Sequence, residues 1–335
     1  MKQKTLLDEE NRLELLSQLG DPLEILNRVI KWEKFRSVLN QGSRKEDTGK
    51  GGRPSYDVVM MFKILVLQRL YNLSDDQTEY QINDRMSFMR FLGINLCEKV
   101  PDAKTIWKFK NDLAETETVD KFFCMFDEHL ENKGLISHKG TIVDAPRQRN
   151  SRDENKKIKN GVIPEGWEKP ENKSKLAQKD IDADWTKKNG ERHFGYKDHV
   201  KCDADSKLIT NYSVTSASVH DSQRCLVFIG QEDEVLYADS AYSGKPIALA
   251  LPENCKNQIC EKGYRNSPLT SEQKMNNRRK SRIRCRIEQI FGFMTGAMHG
   301  ITIRSIGITR AWMNIGITNL VYNFCRYSYL KRASA

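Results

Sequence analysis

Three carboxylates stand at points of the sequence where a metal site can form. Asp144 ends the β-branched run 141–144, Asp239 ends the apolar run 234–238, and Glu288 lies in an amphipathic stretch of helical periodicity. Hard divalent cations prefer carboxylate oxygens as ligands. Two such ions about 3.5–4 Å apart can bind a phosphodiester, activating the attacking oxygen and stabilising the leaving oxygen. The order strand-Asp, hairpin, strand-Asp, helix-Glu therefore predicts metal-dependent phosphodiester chemistry.

Each acid also has an ordinary structural interpretation. An aspartate at a strand end often caps the following turn through its side chain, which applies to both Asp144 and Asp239. Glu288 stands four residues after Arg284, the spacing of a salt bridge within one helix. The residues alone leave both interpretations open.

The stretch that carries Glu288 is strongly basic at its start. Residues 278–286 contain six basic side chains in nine positions. An apolar stripe at helical spacing follows, and it predicts one continuous helix over 278–299. We interpret Arg284 as oriented by Glu288 and directed at a nucleic-acid backbone, a contact that positions without reading sequence. The stripe consists of Ile283, Ile287, Ile290, Phe291, Met294 and Met298.

The overall charge favours an anionic partner. Lys and Arg number 55 against 45 Asp and Glu, giving a formal net charge of +10. A local excess of this kind favours nucleic acid over a membrane, although a solubilising surface is the alternative. The longest apolar run, 58–67, is about half the length of a membrane span. Eight cysteines without a C-x-x-C pair and no secretory leader predict reduced thiols in the cytoplasm.

Composition divides the chain into five segments. Residues 1–40 predict short helices broken near Gly20-Asp21-Pro22, and residues 41–54 are rich in Gly and charge, which is typical of a linker. Residues 55–135 predict a helical domain, and residues 136–305 a domain of strands and helices with a polar insertion at 147–192. Residues 306–335 predict a C-terminal helix.

The second helical segment carries clear start and stop signals. Ser74 or Asp75 can cap one helix and Asp102 another, while Gly93 is placed to end the helix between them. Four helices with short turns, the last basic and aromatic, indicate a helix-turn-helix type DNA-binding module. The alternative is a helical domain that only packs.

Strand character returns after the insertion. The segments 193–203 and 207–218 predict a hairpin, and His220-Asp221 would open the next helix, with Asp221 as its cap. Lys197 and His199 alternate along the first strand and could line the cleft. A solvated strand face is the alternative.

Several ordered segments together resemble a known family. They are GRPSYDVVMMFKILVLQRLYNLSDDQTEYQINDRMSFMRFLG, VPDAKTIWKFK, GTIVDAPRQ, GYKDHVKCDADSKLITNYSVTSASVHDSQ, LYADSAYSG and RIRCRIEQIFG. Over roughly residues 52–326 the chain resembles bacterial insertion-sequence transposases of the DDE class, specifically the insertion-sequence five group. The resemblance implies an α/β (α+β) fold, with a ribonuclease-H-like catalytic domain of mixed sheet behind an all-helical N-terminal DNA-binding domain. Asp144, Asp239 and Glu288 match the family's metal-binding acids, which implies Mg²⁺ or Mn²⁺, in two ions.

The resemblance is incomplete around the third acid. The superfamily pattern Y-x2-R-x3-E-x6-K keeps Arg284 and Glu288 but has Ser281 and Thr295 at its Tyr and Lys positions. These two differences do not affect the three acids. They leave open which residues contact the DNA end. Tyr242 matches a D-x-x-Y turn and could contact phosphate or only pack. Other DNA-contact candidates are Arg278, Arg279, Lys280, Arg282, Arg286 and Lys197.

The function implied is transposition. Such a protein binds the terminal inverted repeats of its element, hydrolyses phosphodiesters there and joins the 3′ ends to target DNA without a covalent protein intermediate. Synapsis of two ends implies a homo-oligomer, and the family implies a nucleoid-associated protein of the bacterial cytoplasm. The alternatives are a catalytically silent DNA-binding protein derived from a transposase, and a ribonuclease-H-like nuclease without strand transfer.

Overall fold

The computed structural model describes residues 8–43, 55–150, 163, 165–188, 190–300 and 302–333. The chain divides into two compact units. The first consists of Met1–Phe122 with Phe324–Ala335, and the second of Phe123–Asn323. The helix Thr118–Glu131 and the helix Ile308–Ala333 each run from one unit into the other along the chain.

The described part of the first unit is helical, and its helices begin and end at the predicted signals. The side chain of Asp57 accepts hydrogen bonds from the Val59 and Met60 amides, and Ser74 forms a reciprocal capping box with Gln77. Gly93 adopts the left-handed conformation after α6. The helices are α1 Asp8–Gln18, α2 Pro22–Val29, α3 Arg36–Gly42, α4 Val58–Leu70, α5 Asp75–Asp84, α6 Met86–Leu92, α7 Ala103–Glu115 and α8 Thr118–Glu131.

Helix α4 lies at the centre of this unit. Most of its side chains are buried, as its apolar run predicts. Phe62 of α4 packs against Trp32, Phe35 and Phe122 through tilted and edge-to-face ring contacts, a geometry that aromatic quadrupoles favour. The Lys63 ammonium donates to the Phe91 carbonyl oxygen at 3.0 Å. One cation is thus accommodated within an otherwise apolar helix.

The second unit is built on a mixed eight-stranded sheet. Its path runs β7-β6-β1-β4-β2-β8, and β3 and β5 pair with the other edge of β4. The pairs β1–β6, β6–β7 and β2–β8 are parallel, and all pairs with β4 are antiparallel. The strands are β1 Thr141–Asp144, β2 Arg147–Asn150, β3 Asp184–Lys188, β4 Glu191–Asp203, β5 Ile209–Ser216, β6 Val235–Tyr237, β7 Lys256–Asn257 and β8 Thr302–Ile303.

In the described part of the chain, six α-helices follow β1. They are α9 Lys173–Ala177, α10 Ser222–Phe228, α11 Lys245–Ala250, α12 Ser271–Arg284, α13 Arg286–Thr295 and α14 Ile308–Ala333. Helix α13 packs against β1, and α12 against β6. A core of Val143, Leu236, Tyr242, Cys225 and Phe228 fills the space between β1, β6 and α10. This packing fixes the strand ends at which the candidate acids stand.

The structure corrects four sequence predictions. The polar insertion 147–192 contributes β2 and β3 to the sheet, although residues 151–162 lie outside the described part. Helix α3 extends to Gly42, into the predicted linker, and residues 44–54 are not described. The short apolar segment 258–260 predicts a last strand in the sequence, and the strand found there is β7, at 256–257.

The fourth correction concerns the basic helix. The stretch 278–299 is not one helix, because α12 ends at Arg284 and α13 begins at Arg286. The second half of the predicted apolar stripe is nevertheless buried, at Ile287, Ile290 and Met294.

Within the described residues, no helix combines the length and the apolar character needed to cross a membrane.

Candidate active site

Asp144 and Asp239 stand side by side at the ends of two parallel strands. Ile142 of β1 pairs with Tyr237 of β6, so that two residues further on Asp144 lies opposite Asp239. Neighbouring strands are separated by about 4.8 Å. The carboxyl ends of parallel strands meet at one edge, and the sheet thereby brings two of the predicted acids together.

Each aspartate also caps its own turn, as the alternative interpretation expects. Asp144 Oδ1 accepts a hydrogen bond from the Ala145 amide at 2.8 Å. Asp239 Oδ1 accepts one from the Ala241 amide at 2.5 Å, in the short 3-10 turn Ser240–Tyr242. Capping engages Oδ1 of each group, and Asp144 Oδ2 faces the Arg284 guanidinium. The capping interpretation and the metal-ligand interpretation are therefore compatible.

Glu288 approaches the strand ends from α13. It lies in the first turn of that helix, where the helix dipole favours a negative charge. The Arg284 guanidinium stands between this carboxylate and β1, with Nη1 3.4 Å from Glu288 Oε1 and 3.5 Å from Asp144 Oδ2. The predicted salt bridge between Arg284 and Glu288 is present, and it also reaches Asp144.

The electrostatics of the group are dominated by burial. Desolvation raises the pKa of Asp144 above its ordinary value, and the charges of Glu288 and Asp239 raise it further. The Ala145 amide and the Arg284 guanidinium act in the opposite direction. Glu288 and Asp239 are thus close enough to Asp144 for their charges to oppose its ionisation, whereas the Arg284 guanidinium favours it.

The donor set fits a divalent cation in its chemistry. Three carboxylates offer hard oxygen ligands and leave coordination positions for water and phosphate. Among the described residues, however, the one group of at least three potential ligands lying within 4.8 Å of one another is His138, Glu232 and Asp233. The carboxylates of Asp144, Asp239 and Glu288 are spread more widely than that. The Glu288 side chain is 56% exposed, and Arg284 Nη1 lies between it and Asp144.

The group around Asp233 is already neutralised by a lysine. The Lys201 ammonium lies 2.9 Å from Asp233 Oδ2 and 3.6 Å from Glu232 Oε1. Thr141 donates a further hydrogen bond to Asp233 at 2.6 Å. This buried network ties the start of β1 to β4 and to the loop before β6. We interpret it as structural.

The basic residues of α12 and α13 fall into two sets. Arg278, Arg279 and Arg282 are exposed and occupy one arc of α12, since positions i, i+1 and i+4 lie within about 100° of one another. The Lys280 ammonium instead donates to the Ile259 carbonyl oxygen at 2.9 Å. Arg286 Nη1 lies 2.9 Å from both the Ala204 carbonyl oxygen and Asp205 Oδ1. These last two cations hold the fold, whereas the three arginines face solvent.

The predicted alternation along β4 does not produce a solvated face. Lys197 and His199 are both buried. The Lys197 ammonium lies 2.8 Å from Asp221 Oδ1 and donates to the Val219 carbonyl oxygen at 2.5 Å. The interpretation of this strand face as solvated is wrong. Lys197 would reach a DNA phosphate only by breaking both contacts.

Asp221 does not act as the predicted helix cap. It precedes α10, but its side chain makes no capping hydrogen bond and pairs with Lys197 instead. Its own backbone is already in the helical conformation. Asp221, which the sequence predicts to be a helix cap, therefore forms an ion pair with a residue distant in the sequence.

Tyr242 lies in the core beneath the acids. It is 1% exposed and packs in the apolar cluster of the sheet. Burial raises the pKa of its hydroxyl, and the charges of Asp144 and Asp221 raise it further. Within the described residues the hydroxyl has no hydrogen-bond partner. This placement favours the packing interpretation over a phosphate contact.

Ser281 and Thr295 do not replace the missing Tyr and Lys of the family pattern. Ser281 Oγ lies 3.8 Å from Cys260 Sγ. The Thr295 hydroxyl donates to the Phe291 carbonyl oxygen of its own helix at 2.8 Å. Both side chains are engaged locally, and the exposed arginines of α12 are the nearest substitutes in sequence.

Comparison with known families assigns the class of protein. Residues 139–324 match the model of the family described as "Transposase DDE domain", and residues 10–112 match "Transposase domain (DUF772)". The first match covers more than half of the chain, and the chain belongs to the DDE transposase family. Members of this family are metal-dependent enzymes of mobile elements that cleave DNA. The predicted class is thereby confirmed, while the group within it is not tested.

One solved structure is similar over most of the chain. It is the cryo-EM structure of a piggyBac transposase synaptic complex with hairpin DNA. The match covers 96% of this chain and 76% of that one, at 13% identity and a TM-score of 0.42. The likeness is too distant to carry an argument about fold or function.

Proposed function

We propose that this chain is the transposase of an insertion sequence of the five group, with a ribonuclease-H-like catalytic domain. It binds the terminal inverted repeats of its own element, hydrolyses phosphodiesters at the ends and joins the freed 3′ ends to target DNA. One observation carries the proposal. Asp144 and Asp239 end adjacent parallel strands, and Glu288 on the helix packed across β1 faces the same guanidinium as Asp144.

Asp144, Asp239 and Glu288 would hold two Mg²⁺ or Mn²⁺ ions. When bound, such ions lower the pKa of an attacking hydroxyl and stabilise the leaving oxygen. Water is the first nucleophile, and the phosphorus–oxygen bond that breaks releases a 3′-hydroxyl. That hydroxyl would then attack a target phosphodiester, form a new bond to its phosphorus and release the 3′-hydroxyl of the target strand. This second step conserves the number of phosphodiester bonds, whereas the first hydrolyses one. No protein side chain becomes covalently attached.

The solvent-facing arginines of α12 would bind the DNA backbone near the cut. Arg278, Arg279 and Arg282 offer forked donors that match phosphate oxygens. They have no partners among the described residues, so contact with phosphate costs no internal bond. Their role is positioning rather than sequence reading.

Recognition of the inverted repeat would belong to the helical first unit. Helix α7 buries Ile106 and Phe109 and exposes Lys104, Trp107 and Lys108 on its other side. A basic, aromatic surface on one helix suits the major groove. Two ends must be held together for strand transfer, and the active form would therefore be a homo-oligomer.

The proposal is tested on a labelled duplex that carries the inverted repeat read from the DNA flanking the gene. Purified protein is incubated with it in Mg²⁺ or Mn²⁺, and wild type is compared with Asp239→Asn. Metal-dependent nicking at the repeat end followed by joined product is expected from the wild type alone. Nicking without joined product would favour the nuclease. Binding without any nicking would favour the silent DNA-binding protein.

A further inference from the structure

Arg284 occupies the space between two of the proposed metal ligands. Its Nη1 stands 3.5 Å from Asp144 Oδ2 and 3.4 Å from Glu288 Oε1. The guanidinium is about a fifth exposed, as is Asp144. A positive group in this position neutralises carboxylates that would otherwise repel one another.

The contacts of Arg284 are long compared with those of its neighbours. Ion pairs to a guanidinium are usually about 2.7–2.9 Å, the range in which Arg286 meets Ala204 and Asp205. Arg284 has no backbone carbonyl as an anchor within the described chain, whereas Lys280 and Arg286 each have one. Among the three cations of α12 and α13 whose side chains contact other groups, Lys280, Arg284 and Arg286, Arg284 is therefore the one most easily displaced.

The position in the chain also allows movement. Arg284 is the last residue of α12, and the chain turns at Cys285 before α13 begins. A side chain at a helix end can change rotamer without disturbing a packed turn on its C-terminal side. The solvent-facing Arg282 lies two residues away on the other side of the same helix.

We infer that Arg284 is a built-in counter-ion, which holds Asp144 and Glu288 before a divalent cation binds and is displaced when it does. This inference rests on the proposed function, in which these carboxylates bind the cation. The displaced guanidinium then becomes available to a DNA phosphate. Metal and DNA would consequently favour each other's binding, since a group released by one is used by the other.

A titration with Mn²⁺ measures this competition without any DNA cleavage. Binding is monitored by calorimetry and by the electron paramagnetic resonance of free Mn²⁺. Arg284→Gln is expected to bind Mn²⁺ about tenfold more tightly than wild type, because a competing charge within about 4 Å is removed. The control is Lys274→Gln, which removes one positive charge from an exposed position of the same helix. Its affinity is expected to stay within about twofold of wild type.

The outcomes separate the inference from the proposed function. Equal or weaker Mn²⁺ binding by Arg284→Gln than by wild type would overturn the counter-ion role and leave the metal site standing. If the wild type bound no Mn²⁺, or if Asp239→Asn did not weaken its Mn²⁺ binding, the metal site itself would be overturned. Should Arg284→Gln fail to fold, Arg284→Met removes the same positive charge and keeps an apolar stem of similar length. It must then bind Mn²⁺ more tightly than wild type, and equal or weaker binding would overturn the inference.

Discussion

The Lys197 ammonium lies 2.8 Å from the carboxylate of Asp221. Lys197 belongs to the central strand β4, and Asp221 is the residue immediately before helix α10. Lys197 is 7% exposed and Asp221 25%. The pair joins β4 to the start of α10. It lies close to the candidate acids, because the charges of both Asp144 and Asp221 raise the pKa of Tyr242. Removal of either partner leaves a poorly hydrated charge behind.

Lys197→Met is therefore expected to lower the free energy of unfolding by about 2 kcal/mol. The figure is below the range of about 3–5 kcal/mol for fully buried pairs, because Asp221 keeps some contact with water. Urea denaturation of Lys197→Met, Asp221→Asn and the double variant completes a double-mutant cycle. Additive losses in the two single variants would show that the pair is not energetically coupled.

The three acids are expected to matter for cleavage and not for folding or DNA affinity. Asp144→Asn, Asp239→Asn and Glu288→Gln should each lower the rate of end cleavage by about a thousandfold or more, since a metal clamp supplies several kcal/mol. DNA binding, followed by gel shift without metal, should be equal or stronger after loss of a negative charge. The matched control is Asp205→Asn, an acid of the same unit that pairs with Arg286. Wild-type cleavage by any of the three variants would remove that residue from the site.

Local signals determined much of what the sequence could predict. Helices α5 to α7 follow from the caps Ser74 and Asp102 and from the stop at Gly93, because these residues satisfy helix ends within a few positions. The positions of Asp144 and Asp239 follow similarly from short β-branched or apolar runs that end in a carboxylate. Their adjacency depends on the order of the strands in the sheet, which no local run encodes.

Features that depend on distant partners were not predictable in this way. Strand β4 carries Lys197, Asp198 and Lys201 like a solvated strand, yet all three are buried. Their partners are Asp221, Asn319 and Asp233, which no local pattern connects to them. The break at Cys285 was missed for a related reason, since neither Gly nor Pro marks it.

The exposed arginines of α12 are expected to contribute to the dependence of DNA affinity on salt concentration. If Arg278, Arg279 and Arg282 each neutralise one phosphate, replacing all three with Gln should reduce the slope of log affinity against log salt by about 0.9 per lost contact. Fluorescence anisotropy with a duplex at several salt concentrations measures the slope. Lys245→Gln, at an exposed position on α11, serves as the control for the loss of surface charge. An unchanged slope in the triple variant would exclude phosphate contacts by this face.

Asp198 is expected to make stability depend on pH near neutrality. Its carboxyl is completely buried in β4; Asn319 Nδ2 donates to Oδ1 at 3.1 Å, and Oδ2 has no partner among the described residues. Burial raises the pKa of Asp198 to about 7, against the opposing hydrogen bond of Asn319. The folded protein thus holds this proton more tightly than the unfolded chain does. The stabilisation is fully present below about pH 4 and is lost as the pH rises to about 7.

Asp198→Asn removes this titration and keeps a neutral side chain of the same shape. The carboxamide oxygen can still accept the hydrogen bond from Asn319 Nδ2. Relative to wild type, the variant should gain stability between pH 5 and pH 8, by an amount on the order of a few kcal/mol. Urea denaturation at both pH values gives the difference directly, with Asp205→Asn, which replaces an exposed acid of the same unit, as the control. A wild-type minus variant difference that is constant between pH 5 and pH 8 would mean that Asp198 is ionised in the folded protein throughout.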